Sequence, residues 1–157
     1  MENFCLTQFA LFCDFSEQQI NQLITLMEFC SQPSNMVLFE QDARTEYLYF
    51  LLEGEVTIHY KPYDGPSLII ARIMPGNVFG WSAALNRNTY SSSALTKTDC
   101  KFLKIKSSNL TGLCNRFPET GALFLDRLAS VISERIENTN QEIRLLLRNV
   151  MDVNGEC

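Results

Sequence analysis

Between Met36 and Ile105 the chain breaks into short apolar segments divided by turn residues, and this rhythm restricts the possible folds most. "MVLFE", "EYLYFLLEG", "EVTIHYK", "SLIIARI" and "CKFLKI" each have the length of one strand and are rich in β-branched or aromatic residues. Val56, Ile58 and Tyr60 alternate with Glu55, Thr57 and His59, which predicts one buried and one wet face and makes His59 a surface residue. Asp64-Gly65 in "YDGP" signals a hairpin, and Pro75-Gly76 in "MPGN" suits a type II bend. Many short strands with such turns close into a sandwich or barrel.

Helices flank this block. Ser16 is placed to cap a helix, with Gln19 completing a capping box and Phe15 and Ile20 forming a staple. Ile20, Leu23, Ile24 and Met27 make its apolar face, and the helical pattern runs on to Cys30, short of Pro33. "SSNLTGLC" predicts a short helix capped by Ser107 or Ser108, and Pro118 suits the first turn of another. From there Leu128, Ile132, Ile136, Ile143, Leu146 and Val150 recur at helical spacing. A helix continuous to Val150 would be ~33 residues and about 50 Å long. So long a stripe calls for a partner helix, and a homodimer through Leu128, Ile132, Ile136 and Ile143 is the expectation; folding back onto the chain's own β domain is the alternative. The expected fold class is α+β. A jelly-roll-like β-roll (36–106) stands between an N-terminal helical part (1–35) and C-terminal helices (107–150), in a single domain over 1–157.

The net charge of −5, with Lys and Arg scattered, argues against a bare electrostatic hold on nucleic acid or a membrane surface. Cys5, Cys13, Cys30, Cys100, Cys114 and Cys157 form no C-x-x-C pair, and His59 has no second imidazole, so no metal is expected. Cysteines inside apolar runs read as reduced core residues. The N-terminus "MENFCLTQFALFCDF" reads as neither secretion signal nor membrane span, making cytoplasm the expected compartment. No nucleophile–base pair, paired acids or P-loop is legible, so no catalytic residue is assigned and an enzyme is not expected.

The candidate site is "FGWSAALNRNTYSSSA", Phe79 to Ala94, a loop of small and hydroxyl residues in which only Arg87 is charged. Asn86-Arg87-Asn88 reads as an exposed turn. The order of these parts resembles the cyclic-nucleotide-binding domain, most of all the N-terminal sensor half of the bacterial catabolite-activator family. "YLYFLLEGEVTIHY", "IMPGNVFG", this loop and "TDCKFLKIKSSNL" carry the resemblance, which spans roughly Phe9 to Val150.

The resemblance implies that residues 79–94 are the phosphate-binding cassette, in which a short helix N-terminus meets the cyclic phosphate. In the family pattern a Glu after the Gly receives the ribose 2′-hydroxyl, and an Arg nine residues later pairs with the phosphate. Here Gly80 is present, but Trp81 stands at the Glu position and Tyr90 at the Arg position, with Ser91, Ser92, Ser93 and Ala94 following. Losing one partner of a desolvated charge pair costs ~2–5 kcal/mol, or roughly thirty- to several-thousand-fold in affinity. The ligand-binding set expected is therefore Phe79, Gly80, Trp81, Ser82, Ala83, Tyr90, Ser91 and Ser92. Trp81 and Tyr90 either wall an apolar pocket or fill the vacated one.

The function implied is a regulatory ligand-sensing module with weakened or altered cyclic nucleotide recognition, signalling through its C-terminal helix to a downstream protein partner. Its ligand would be a cyclic nucleotide or another small molecule. Two alternatives stay open: a ligand-free interaction module, and the sensor half of a longer transcription regulator. No helix-turn-helix follows in these residues, so they are not expected to bind DNA themselves.

Overall fold

Residues 6–135 are described by the computed structural model, and within them the strand rhythm closes into two antiparallel four-stranded sheets. After 3-10 turns at Leu6–Gln8 and Ala10–Phe12 come α1 (Glu17–Ile24), β1 (Met27–Gln32) and β2 (Val37–Phe39). Next are β3 (Tyr47–Glu53), β4 (Val56–Tyr60), β5 (Leu68–Ile73) and β6 (Val78–Phe79). A 3-10 turn at Trp81–Ala83 then leads to β7 (Ser93–Thr96), β8 (Cys100–Lys106) and α2 (Ser107–Arg116). A last helix, α3, occupies residues 118–135. The sheet orders are β1-β8-β3-β6 and β2-β7-β4-β5. This is the expected α+β jelly-roll-like roll, with helices on either side of it in sequence. No helix among the described residues is long and apolar enough to cross a membrane.

The six apolar residues of "YLYFLL" explain the layering, because β3 is buried on both faces. Leu48 and Phe50 enter a cluster with Phe9, Phe12, Leu23, Phe124 and Leu128, which packs the flanking helices on the sheet. Tyr49 and Leu51 enter the other cluster, with Val56, Phe79 and Phe102, between the sheets. Two cores thus share one strand, and the second is the floor of the candidate site.

The α1 capping box forms as expected, with Gln19 N–H donating to Ser16 Oγ (3.2 Å) and Ser16 N–H to Gln19 Oε1 (2.9 Å). The helix stops at Ile24, however, and Met27–Gln32 is a strand rather than the end of a helix. Its six residues pair with β8 from Met27↔Ile105 to Gln32↔Cys100, meeting backbone groups that β8 would otherwise leave bare. The roll therefore begins within the part read as helical (1–35).

Alternation in β4 also fails at its outer end. Thr57 is buried and Tyr60 is 41% exposed, because β4 lies between β5 and β7 and its register against β5 slips between Ile58 and His59. His59 is half-buried, its Nε2 2.8 Å from Thr57 Oγ1. β4 and β5 do form a hairpin, but Gly65 is not among the glycines with positive φ, so the tight two-residue turn is replaced by a longer loop. Gly76 has φ +91°, as a type II bend requires. Ser107 caps nothing: Lys106 is the N-cap residue of α2, without a side-chain cap, and Ser107 N–H donates to Glu46 O (2.8 Å).

The C-terminal stripe needs the largest correction. Leu128 (1% exposed) and Ile132 (9%) are buried in the chain's own core beside Phe124, so this part of the helix folds back and offers neither residue as a dimer interface. Covering them locally satisfies the same apolar demand that predicted a partner. Ile136, Ile143, Leu146 and Val150 lie outside the described residues.

Candidate functional site

Strand β6 delivers the site. Phe79 pairs with Tyr49 of β3, and the chain then turns at Gly80 with φ +78°. A Cβ there would approach Tyr49 Cδ2 at 3.0 Å and Tyr47 O at 3.1 Å, so the turn needs glycine twice over. The 3-10 turn at Trp81–Ala83 buries Ser82 and Ala83, and Arg87 N–H donates to Ser82 O (3.1 Å). Arg87 itself is exposed, as its Asn-flanked setting predicts.

The far end of the loop is pinned to the segment before β3. Tyr90 N–H donates to Ala43 O (3.0 Å), and Asp42 N–H donates to Tyr90 O (2.9 Å). The Tyr90 side chain is 3% exposed, its ring stacked on Phe39 at 3.9 Å between centroids. The hydroxyl accepts from Glu46 N–H (3.2 Å) and Tyr47 N–H (3.0 Å) and donates to Tyr47 O (2.7 Å). Desolvation raises its pKa, opposed by the two backbone N–H groups. Tyr49, stacked on Phe79 at 4.9 Å, is raised too, first by burial and then by Tyr90 and Tyr47.

Above this ring stack lies a cavity of about 280 Å³. Phe39, Phe79 and Tyr90 supply aromatic surface, and Ile58, Ile70, Ala71 and Ile73 supply an aliphatic side from β4 and β5. Gly80, Trp81, Ser82, Ser91 and Ser92 come from the loop. Ser93 stands outside, its hydroxyl accepting Gln41 N–H (2.8 Å).

The remaining lining residue is Arg135, near the end of the described part of α3. Its guanidinium lies 4.8 Å from the centre of the Trp81 ring and donates from Nη1 to Val78 O (2.9 Å). Trp81 Nε1–H donates to the same carbonyl (3.1 Å). Burial lowers the Arg135 pKa, but a guanidinium stays cationic at neutral pH. It is the one charged side chain among the described residues that line the cavity.

The structure thus gathers Phe79, Gly80, Trp81, Ser82, Tyr90, Ser91 and Ser92 around one space. Ala83 is buried and takes no part in the lining. The sequence reading missed the β4–β5 wall and Arg135. A signal for the wall existed in "SLIIARI", which is apolar on both faces although it forms an edge strand. Arg135 gives no signal in the sequence, because nothing local says that this position of the helix meets the loop at Trp81.

The cyclic nucleotide-binding domain model matches residues 31–117, more than half of the chain. The chain belongs to the cyclic nucleotide-binding domain family. It is 25% identical over 124 residues to the cAMP-activated global transcriptional regulator CRP of Pasteurella multocida, covering 78% of this chain and 56% of that protein. It is 31% identical over 106 residues to Rap guanine nucleotide exchange factor 1 of Caenorhabditis elegans, covering 65% of this chain and 10% of that one. A cyclic nucleotide-binding domain from Methylobacillus flagellatus superposes with a TM-score of 0.80 at 22% identity, covering 88% of this chain and 78% of that one. The chain spans 56% of the CRP relative's length. Among its described residues no three of His, Cys, Asp and Glu come together as a metal site.

Proposed function

We propose that the chain is a regulatory module that senses a small ligand in this cavity, with cyclic nucleotide recognition altered, and relays occupancy through its C-terminal helix to a protein partner. One observation carries the reading: the Tyr90 hydroxyl, where the family resemblance puts the phosphate-binding arginine, is engaged by three backbone groups. It has no donor left for a phosphate. Trp81, in the place of the ribose acceptor, offers no carboxylate. The cavity stays open beside them, which favours a sensor over a ligand-free scaffold. None of its described lining residues is Asp, Glu, His, Lys or Cys, which favours binding over catalysis. Arg135 touches the loop from α3, so a ligand that moves either one bears on both. Cys13, Cys30, Cys100 and Cys114 are free thiols, in keeping with a cytoplasmic setting.

Thermal scans with cyclic AMP and cyclic GMP test this. A ligand at 100 times its dissociation constant adds ~2.7 kcal/mol, roughly 5–10 °C for a domain of this size. The expected shift at 1 mM nucleotide is under about 1 °C. A dissociation constant in the low micromolar range by calorimetry would overturn the reading.

We further propose that the chain pairs with a second copy through stripe residues beyond Arg135, Ile136 and Ile143 among them. Light scattering should give twice the chain mass at tens of micromolar, and Ile143→Asp should halve it. A wild-type monomer defeats the pairing. Ile132→Asp should instead unfold the domain, because it buries a charge.

A further inference from the structure

Resting on that sensor reading, we propose that the ligand is a compact, uncharged ring compound with a hydroxyl or carbonyl group, and that Ser82 receives that group.

The buried polar side chains of the cavity are already engaged, with one exception. The Tyr90 hydroxyl is taken up by the backbone of Glu46 and Tyr47, and Trp81 Nε1–H donates to Val78 O. The Arg135 guanidinium is committed to that same carbonyl and to the face of Trp81. Phe79, Trp81 and Tyr90 therefore offer the cavity ring surface, beside the aliphatic side from β4 and β5. Ser82 differs. It is only 8% exposed, and no hydrogen bond among the described residues engages its hydroxyl. The oxygen is not sealed off either, so its opening is onto the cavity that the residue lines. Ser91 and Ser92 also line the cavity, but one is exposed and the other half-buried.

A buried hydroxyl without a partner is destabilising, and a guest that bonds to it removes the penalty. Because a hydroxyl both donates and accepts, an alcohol, a phenol or a carbonyl would serve. Ser82 sits in the 3-10 turn that Gly80 starts at φ +78°, so its hydroxyl is placed before any ligand arrives. The aromatic lining suits a flat ring body. Charge of either sign is disfavoured. A cation finds no acid among the described lining residues, and an anion would give up its water for a guanidinium that backbone and ring already hold. A volume of about 280 Å³ falls at the small end of ligand sites, ~300–1,000 Å³, and argues for one or two rings and against dinucleotides.

Calorimetry with the full chain titrated into dissolved probe tests this, using 2-naphthol, its anionic relative 2-naphthoate and the unsubstituted hydrocarbon naphthalene. The naphthol should bind about tenfold more tightly than the naphthoate. It should bind about fivefold more tightly than naphthalene, the gain of one neutral hydrogen bond. Ser82→Ala should abolish the preference for naphthol over naphthalene while binding naphthalene as well as wild type does. Its melting midpoint should stay within about 2 °C of wild type, because the hydroxyl holds nothing in the fold. Equal binding of naphthol and naphthalene by the wild-type chain overturns the role of Ser82. So does a preference that persists in Ser82→Ala, or a clear fall in that variant's midpoint. Capture of the naphthoate as tightly as the naphthol, or more so, overturns the uncharged ligand. Binding of none of the three overturns the ring compound; the cyclic nucleotide scans bear separately on the sensor reading, whose failure is low-micromolar nucleotide capture.

Discussion

Gly54→Ala should remove about 2–6 kcal/mol of stability, combining left-handed strain of ~1–3 kcal/mol with overpacking of ~1–3 kcal/mol. Gly54 links β3 to β4 with φ +95°. A Cβ there would run into the Asp99 carbonyl oxygen and lie 2.7 Å from Cys100 Sγ and 3.0 Å from Cys100 Cα. None of these can swing aside: two are backbone atoms, and Cys100 Sγ donates to Glu55 O (3.4 Å) and Thr98 O (3.2 Å). Differential scanning calorimetry should show the midpoint falling by roughly 6–18 °C, at ~3 °C per kcal/mol for a domain of this size. A loss below about 1 kcal/mol would mean that the β3–β4 turn relaxes freely. Ile58 reaches the cavity from β4, so any folded Gly54→Ala protein should also show a disturbed site.

The turn at Gly54 was legible because two strand-like runs meet at a glycine. Period-two and period-3.6 patterns separated roll from helix across most of the chain, because most elements bury one defined stripe, while β3, buried on both faces, shows instead as an unbroken apolar run. Besides β4, whose register slips against β5, two further outcomes were set by packing rather than by local pattern. "MEFCSQ" has no strict alternation, but β8 needed a second neighbour, and pairing overrode the local pattern. The stripe at Leu128 and Ile132 is apolar and buried, as its helical spacing predicts. A sequence, however, cannot say whether its cover comes from the same chain.

The site was half legible for a related reason. Residues close in sequence, from Phe79 to Ser92, could be grouped by the loop that holds them. Their partners across the roll could not, since Phe39, Ile58, Ile73 and Arg135 come to the cavity from four separate elements. Chemistry followed the same division. That Trp81 and Tyr90 bring no charge was plain from the sequence, whereas the cation that enters from α3 is visible only in the fold.

Tyr90→Phe isolates the other half of the site's chemistry. The ring and its 3.9 Å stack on Phe39 are kept, and only the hydroxyl goes. Glu46 N–H, Tyr47 N–H and Tyr47 O then lose a partner beside an apolar cluster. Each unmet buried group costs ~1–3 kcal/mol, and water entering from the cavity offsets part of it, so a net loss of about 2–3 kcal/mol is expected. The midpoint should fall by roughly 6–9 °C. Alkaline pH supplies an independent check. Burial raises the Tyr90 pKa in the folded state, so its contribution is intact below the ordinary tyrosine value of about 10 and is lost as pH climbs through the raised folded value. Tyr90→Phe should therefore be less stable at neutral pH yet lose stability less steeply above about pH 10, where Tyr49 still titrates. If the variant matches wild type in both respects, the hydroxyl holds nothing. The position would then be free to accept the arginine that the family resemblance puts there, and Tyr90→Arg should restore part of the affinity for cyclic nucleotides. If the hydroxyl is the anchor described above, Tyr90→Arg should unfold the loop instead, because it removes the stack and buries a charge where none of the described lining residues is acidic.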